Sequence, residues 1–281
     1  MSREQHAFYT LLAVLVLTAI KGYVFLLTQS LSVLTEFFDS ILDIISSLGA
    51  FYAIREGLRP PDVDHHYGHG KFESLVAYTI AVFAAIAGFY IIVEVIQRML
   101  YGFSINVGLL SLLLVSSTVV IDVLLASYNY IGFKKHDSLA LKANFVNYLG
   151  DAARGIGVLV ALFSATIGLY FLDAIIAVVL VGILYKESFE LFRESSRILL
   201  DEAPIEIVER AKIAATRVKG VKNVKKIRAR CMGNMPFIDI TITVSRDRSV
   251  EEAHMIADNV EREIKNEIKN ADVVVHIEPE H

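Results

Sequence analysis

Cysteine is nearly missing from this chain, with one residue, Cys231, in 281. An internal disulfide is therefore excluded, and nothing points to an oxidising compartment. No long basic block occurs and the net charge is only −4, which gives no reason to expect nucleic acid as a partner. Internal repeats and low-complexity stretches are also missing. Charge itself is not scarce, at 21% of residues, yet 54% are hydrophobic and the mean hydropathy is +0.52. Those figures conflict for a uniform chain and agree for a segregated one. Nearly all the apolar excess lies before residue 200, and from Pro204 charge alternates with Val and Ile as in a water-soluble domain. Two domains are expected, residues 1–203 in the membrane and 204–281 in water.

Six apolar runs have roughly the twenty residues that a helix needs to cross the hydrocarbon core. They run from Phe8 to Leu27, Leu31 to Ile54, Phe72 to Ile96, Val107 to Tyr130, Leu139 to Leu162 and Leu169 to Leu184, the last continuing into a charged helix. The first begins close to Met1, as a signal peptide would, but the five that follow favour a retained span. Pro60 and Pro61 end the second run, because neither can donate a backbone hydrogen bond. With the N-terminus inside, the inner loops hold Arg55, Arg59, Lys71, Lys134, Lys135 and Lys142, and the outer connections hold only Arg98. The positive-inside rule then puts both termini in the cytoplasm. The tail reads as helix (Ile205 to Arg217), strand (Val221 to Cys231), strand (Pro236 to Ser245), helix (Val250 to Lys269) and strand (Asp272 to Glu278), an αββαβ unit small enough that dimerisation would help bury its core.

Two stretches place paired polar side chains inside apolar runs. Asp39 and Asp43 are four apart in the second span, and Asn147 and Asp151 are four apart in the fifth, so each pair shares one helix face. Asp43 and Asp151 each lie about a dozen residues, roughly 18 Å, from the inner end of their span. Both pairs therefore fall near the bilayer middle, where a transporter places its binding site. Three carboxylates and an amide converging at low dielectric repel one another unless a cation or protons compensate. A divalent cation does so, and because its ligands must lose protons to bind it, binding is coupled to proton release. The competing reading is that these residues pair with Lys21 or Arg154 or cap buried backbone. Lys21 is expected to snorkel toward the outer headgroups. Arg154, three residues after Asp151, either sits one turn outward beside it or faces the headgroups. Glu94 and Asp122 serve neighbouring helices or carry protons, which the sequence does not separate.

The loop from Pro61 to Lys71 is the densest collection of metal-ligand residue types in the chain. Asp62, His65 and His69, spaced three and four apart, suit zinc and similar ions, although a histidine-rich loop is also often only a solvated surface. His276 and Glu278 alternate onto one strand face near the C-terminus, and with His254 they form a weaker candidate set for which ordinary soluble histidines are the simpler reading.

Asp39 and Ser40 with Asp43, the segment Tyr67, Gly68, His69, Gly70, Lys71, Phe72, Glu73, the six spans and the αββαβ tail together resemble the cation diffusion facilitator family over nearly the whole chain. The resemblance implies a homodimeric, proton-coupled exporter of divalent transition metals in the cell membrane, with a metallochaperone-like cytoplasmic domain, and not an enzyme. It puts the transport site on Asp39, Asp43, Asn147 and Asp151, a second site on Asp62, His65 and His69, and a charge interlock on Lys71 and Asp201. The metal is its substrate and also a candidate structural or regulatory ion, with no organic cofactor; lipid and protons are the other partners. Two departures stand out. Similar zinc transporters have histidine where Asn147 stands, so this donor set is all oxygen and relatively better suited to Mn²⁺ or Fe²⁺, though affinity order alone still favours zinc. Two histidines of the cytoplasmic zinc site of similar proteins are here Lys225 and Thr241, leaving His254, His276 and Glu278 for at most one weak metal. The alternative reading from another class is a non-transporting metal sensor or partner-binding protein acting through the tail. An intramembrane metal hydrolase is disfavoured, since no residue is placed as nucleophile or base apart from the ligands.

Overall fold

Long apolar runs without interior proline give long helices, and the computed structural model of the chain contains six of them among the described residues before residue 200. It describes residues 3–57, 59–102, 105–136, 139–232 and 235–280. The helices are α1 (Arg3–Thr28), α2 (Leu31–Gly57), α3 (Phe72–Tyr101), α4 (Leu109–His136), α5 (Leu139–Thr166) and α6 (Phe171–Leu199). The fourth and fifth begin at or near the expected residues, and the sixth carries its apolar half straight into the charged half, as expected. Among the described residues, the stretches Phe72–Tyr101, Leu109–Ile131 and Asn144–Thr166 are apolar enough on length and composition alone to cross a membrane. Of the basic loop residues, the side chains of Lys135 and Lys142 lie outside the described residues.

The chain divides into two compact units, one of residues 1–48 and 80–190 and one of residues 49–79 and 191–281. In the first, Leu31 and Leu34 of α2 pack with Ile91 of α3 and Ala177 and Val181 of α6, while Val24, Val115, Val158 and Leu162 join α1, α4 and α5. Helices α4 and α5 approach closely at Gly155, where a Cβ would come within 2.7 Å of Val119 Cγ2. The start of α2 is fixed from α6. Asp173, fully buried, accepts the backbone N–H groups of Leu31 (2.7 Å) and Ser32 (3.2 Å) and the hydroxyls of Ser30 and Ser32 (both 2.6 Å). Ser30 Oγ takes the N–H of Val33 at 3.2 Å. The N–H groups that the first turn of a helix leaves without intrahelical partners are thereby satisfied, with a negative charge at the positive end of the helix.

In the second unit, α7 (Ile205–Arg217) and α8 (Val250–Glu267) cover one face of a three-stranded sheet. Strand β2 (Met235–Val244) lies between β1 (Asn223–Met232), which pairs antiparallel to it, and β3 (Asp272–Pro279), which pairs parallel. Period-2 alternation sends Ile238, Ile240, Ile242 and Val244 into the core against Ala211, Ala215, Val260 and Ile264. The other face presents Phe237, Asp239, Thr241 and Thr243, with His276 beside Thr241 and Glu278 beside Thr243. Helix α8 starts with a capping box, in which Ser249 Oγ accepts the N–H of Glu252 and the Glu252 carboxylate accepts the N–H of Ser249.

Candidate metal centre

Helical spacing puts Glu36, Asp39, Ser40 and Asp43 on one face of α2, and Asn147, Asp151 and Arg154 on one face of α5. The fold turns these faces together. Asp39, Asp43 and Asp151 each offer a carboxylate oxygen, and the three oxygens lie within 4.8 Å of one another. Small rotations would bring such a trio to the metal–oxygen distance of about 2.1 Å that zinc and similar ions adopt with carboxylates. Asp151 is buried and Asp39 and Asp43 partly so, while Asn147, one turn before Asp151, is exposed.

The cations around this site are placed differently from the simplest sequence reading. Lys21 does not reach toward headgroups. It is buried and donates to Glu36 Oε2 and to Ser40 Oγ, both at 2.9 Å, because a partner carboxylate on the neighbouring helix outweighs the pull of water. Of the two positions open to Arg154, the one beside Asp151 is realised: its Nη2 donates to Asp151 Oδ1 and, at 2.8 Å, to Asp39 Oδ2. The pairing with Lys21 and Arg154 weighed as a competing account thus exists alongside the convergence of the aspartates. Neither Glu36 nor Asp173 was singled out in the sequence as part of this machinery. The serine ahead of the apolar run, Ser30, was a readable helix-start signal, but its carboxylate partner lies 143 residues away. Asp122 is buried in α4, and Glu94 pairs with Arg98 at 3.4 Å.

The loop between α2 and α3 forms a second cluster. Asp62, His65 and His69 place ligand atoms within 4.8 Å of one another. Asp62 Oδ1 accepts the backbone N–H groups of His65 (2.7 Å) and Asp64 (3.0 Å), an Asx turn that aims the carboxylate back at the histidines. The His65 N–H is the main reason the Asp62 carboxyl is held below its ordinary range. His65 Nδ1 lies 3.2 Å from Oδ1 and His69 Nε2 3.4 Å from Oδ2, so each oxygen faces one imidazole. The buried Nδ1 of His69 has no hydrogen-bond partner among the described residues. Gly68, at φ +84°, makes the turn that returns His69 to the cluster. Lys71 and Asp201 pair at 2.8 Å, and Lys71 also donates to the Leu199 carbonyl at 3.3 Å.

The tail groups two of its three candidate residues. His276 Nε2 lies 3.9 Å from Glu278 Oε1, whereas His254 faces Asp258 at 3.7 Å on its own helix. Lys225 is ion-paired with Glu278. A cavity of about 520 Å³ lies over the uncovered face of the sheet, but its Arg230 is already engaged by the Tyr67 ring at 4.3 Å and Asp201 at 3.6 Å.

Comparison with known proteins matches residues 7–200 to the cation efflux transmembrane domain and residues 203–280 to the cation efflux protein cytoplasmic domain. The manganese efflux system protein MneS of Bacillus subtilis is 28% identical over 98% of this chain and 95% of its own. The cation-efflux pump FieF of Escherichia fergusonii is 30% identical, covering 94% of this chain and 88% of its own. Among solved structures, MamM-CTD H285A is 31% identical over 27% of this chain and 96% of its own, with a TM-score of 0.27.

Proposed function

Because the chain belongs to the cation efflux family of multi-pass membrane transporters, we propose that it exports a divalent transition-metal cation from the cytoplasm in exchange for protons. The observation that carries this reading is the convergence of Asp39, Asp43 and Asp151 from two helices onto one point. Asn147 completes the donor set from the turn below Asp151. Helices α2 and α5 present this site alternately to the two sides of the membrane, and the carboxylates take up protons as the metal leaves. The donor set is all oxygen, which favours Mn²⁺ or Fe²⁺ over Zn²⁺ relative to a site containing imidazole. The full-length similarity to a manganese efflux protein agrees with that order.

The remaining assignments follow from this reading. Asp62, His65 and His69 hold a second ion at the cytoplasmic side, where the basic residues of the inner loops place both termini. Residues 1–203 form the transport domain in the inner cell membrane. Residues 204–281 form the cytoplasmic domain, through which two copies associate, and the Lys71–Asp201 pair locks the loop after α2 to the chain that leads into this domain. His276 and Glu278 contribute little metal binding, since Lys225 supplies the positive charge at Glu278.

The test is flux into proteoliposomes under an imposed pH gradient, comparing Mn²⁺, Fe²⁺, Zn²⁺, Co²⁺ and Cd²⁺. Asp43→Ala is expected to abolish flux while leaving the protein folded, and Asn147→His to shift preference toward Zn²⁺. Normal flux in Asp43→Ala refutes the site. Metal-dependent association of the tail without flux of any cation would support a sensor instead.

A further inference from the structure

A guanidinium offers only donors and stays charged, so it is no metal ligand. Arg154 nevertheless stands among the ligands. Its Nη2 is held by Asp39 Oδ2 and Asp151 Oδ1, two of the three carboxylates assigned to the transported ion. Lys21 is committed to Glu36 and Ser40, which leaves Arg154, among the described residues, as the cation in direct contact with these aspartates. The seat is incomplete. Nε lies 3.4 Å from Glu36 Oε1, but both atoms are buried and neither completes a hydrogen bond among the described residues. The opposite edge of the guanidinium faces α6, where Glu187 Oε1 is 3.8 Å from Nη1 and the Glu187 side chain is 57% exposed. An arginine placed only to brace helices would have these donors matched. This one is gripped firmly at a single nitrogen and has a second carboxylate within reach.

We propose that Arg154 is a tethered competitor for the transport site, docked on Asp39 and Asp151 until an entering divalent cation displaces it toward Glu187, and returning as the cation departs. The proposal rests on the assignment of Asp39, Asp43 and Asp151 as the transport site. A divalent ion and a guanidinium carry like charge and require the same oxygens, so the two occupy them in alternation. Apparent affinity then falls by the fraction of molecules in which the seat is free. If Arg154 is docked in nine molecules of ten, metal binds about tenfold more weakly than to the undisturbed aspartates. The same competition speeds release, because the returning guanidinium neutralises the carboxylates that the ion leaves behind. Weak binding with fast release suits an exporter better than a tight site.

The experiment compares Mn²⁺ binding and Mn²⁺ flux for the otherwise wild-type protein, Arg154→Gln, Arg154→Lys, Glu187→Gln and Asp43→Ala. The full chain is reconstituted in lipid, and the inner-loop cluster is silenced by His69→Ala in every protein compared. Arg154→Gln is expected to tighten Mn²⁺ binding at least tenfold and to lower kcat, so that KM and kcat fall together, and Arg154→Lys to restore both in part. Glu187→Gln is expected to weaken binding several-fold, since the displaced guanidinium loses its acceptor. Unchanged or weaker binding in a folded Arg154→Gln protein overturns the proposal. If that variant does not fold, unchanged binding in Glu187→Gln does the same. Asp43→Ala separates the two levels: normal flux there removes the transport-site assignment itself, whereas lost flux there with unchanged affinity in Arg154→Gln removes only the role of Arg154.

Discussion

Replacing Asp173 by asparagine tests how the first turn of α2 holds Asp39 and Asp43 in place. Asp173 Oδ1 accepts from Ser30 Oγ, Ser32 N and Ser32 Oγ, and Oδ2 from Leu31 N alone. An asparagine can keep its oxygen at the three-donor position, but its NH₂ then confronts the N–H of Leu31. A buried N–H left without an acceptor costs about 1–3 kcal/mol, and loss of the negative charge at a partly buried helix N-terminus costs up to about 2 kcal/mol more. The expected loss is about 2–4 kcal/mol for Asp173→Asn, and more for Asp173→Ala, which strands both backbone N–H groups. Ser30 and Ser32, already 3.0 Å apart, keep each other's hydroxyl. The assay is equilibrium unfolding in mixed micelles, followed by metal flux at a temperature where the variant is folded. Flux should fall too, since Asp39 and Asp43 lie two to three turns along the helix that Asp173 anchors. An asparagine variant within about 0.5 kcal/mol of wild type would refute the reasoning, because that is the scatter of an unremarkable surface change.

Three further outcomes follow from the tail. Lys225→His should convert the pair of His276 and Glu278 into a three-ligand set, so that in the Asp43→Ala background one additional Zn²⁺ binds per chain, measured by equilibrium dialysis; unchanged stoichiometry would show that the register of β1 does not bring position 225 to the ion. Ser249→Ala should cost about 1 kcal/mol by removing the cap of α8, read as faster hydrogen exchange confined to that helix. The Glu252 half of this capping box titrates with a definite sign. Its folded pKa is lowered, chiefly by the Ser249 N–H and then by Arg248, so its contribution is present above the unfolded value of about 4.3 and is lost as pH falls through the lower folded value. The protection of α8 against exchange should therefore weaken in acid, and Glu252→Gln, which still accepts the Ser249 N–H but does not titrate, should blunt that change.

Much of this molecule was legible because its signals are local. Apolar length gave the six long helices, alternation gave β2, and four-residue spacing gave the faces that bear Asp39, Asp43, Asn147 and Asp151. The ends of β1 and β2 moved by one or two residues, as strand ends do when pairing rather than propensity decides them. What sequence did not reveal depends on contacts between distant segments. Lys21 looked like a residue seeking the membrane surface because nothing in its own helix shows that Glu36 waits on the next one. Asp173 lies among apolar residues at the start of the sixth span, and nothing local marks it as the cap of a helix that begins 142 residues earlier. Arg154 was visible as an anomaly, and only three-dimensional proximity names its partners.

The ion pair of Lys225 with Glu278 changes which external variable this corner of the three-stranded sheet responds to. A corner closed by a bound ion loosens when a chelator removes the ion and tightens when supply returns. Here the positive charge is carried on the chain itself, and no chelator can extract it. Both partners are substantially exposed, at 52% and 29% of the side chain, so their attraction is weak and screened by dissolved salt over about 8–10 Å. At that corner the domain is buffered against metal starvation and is tuned instead by ionic strength.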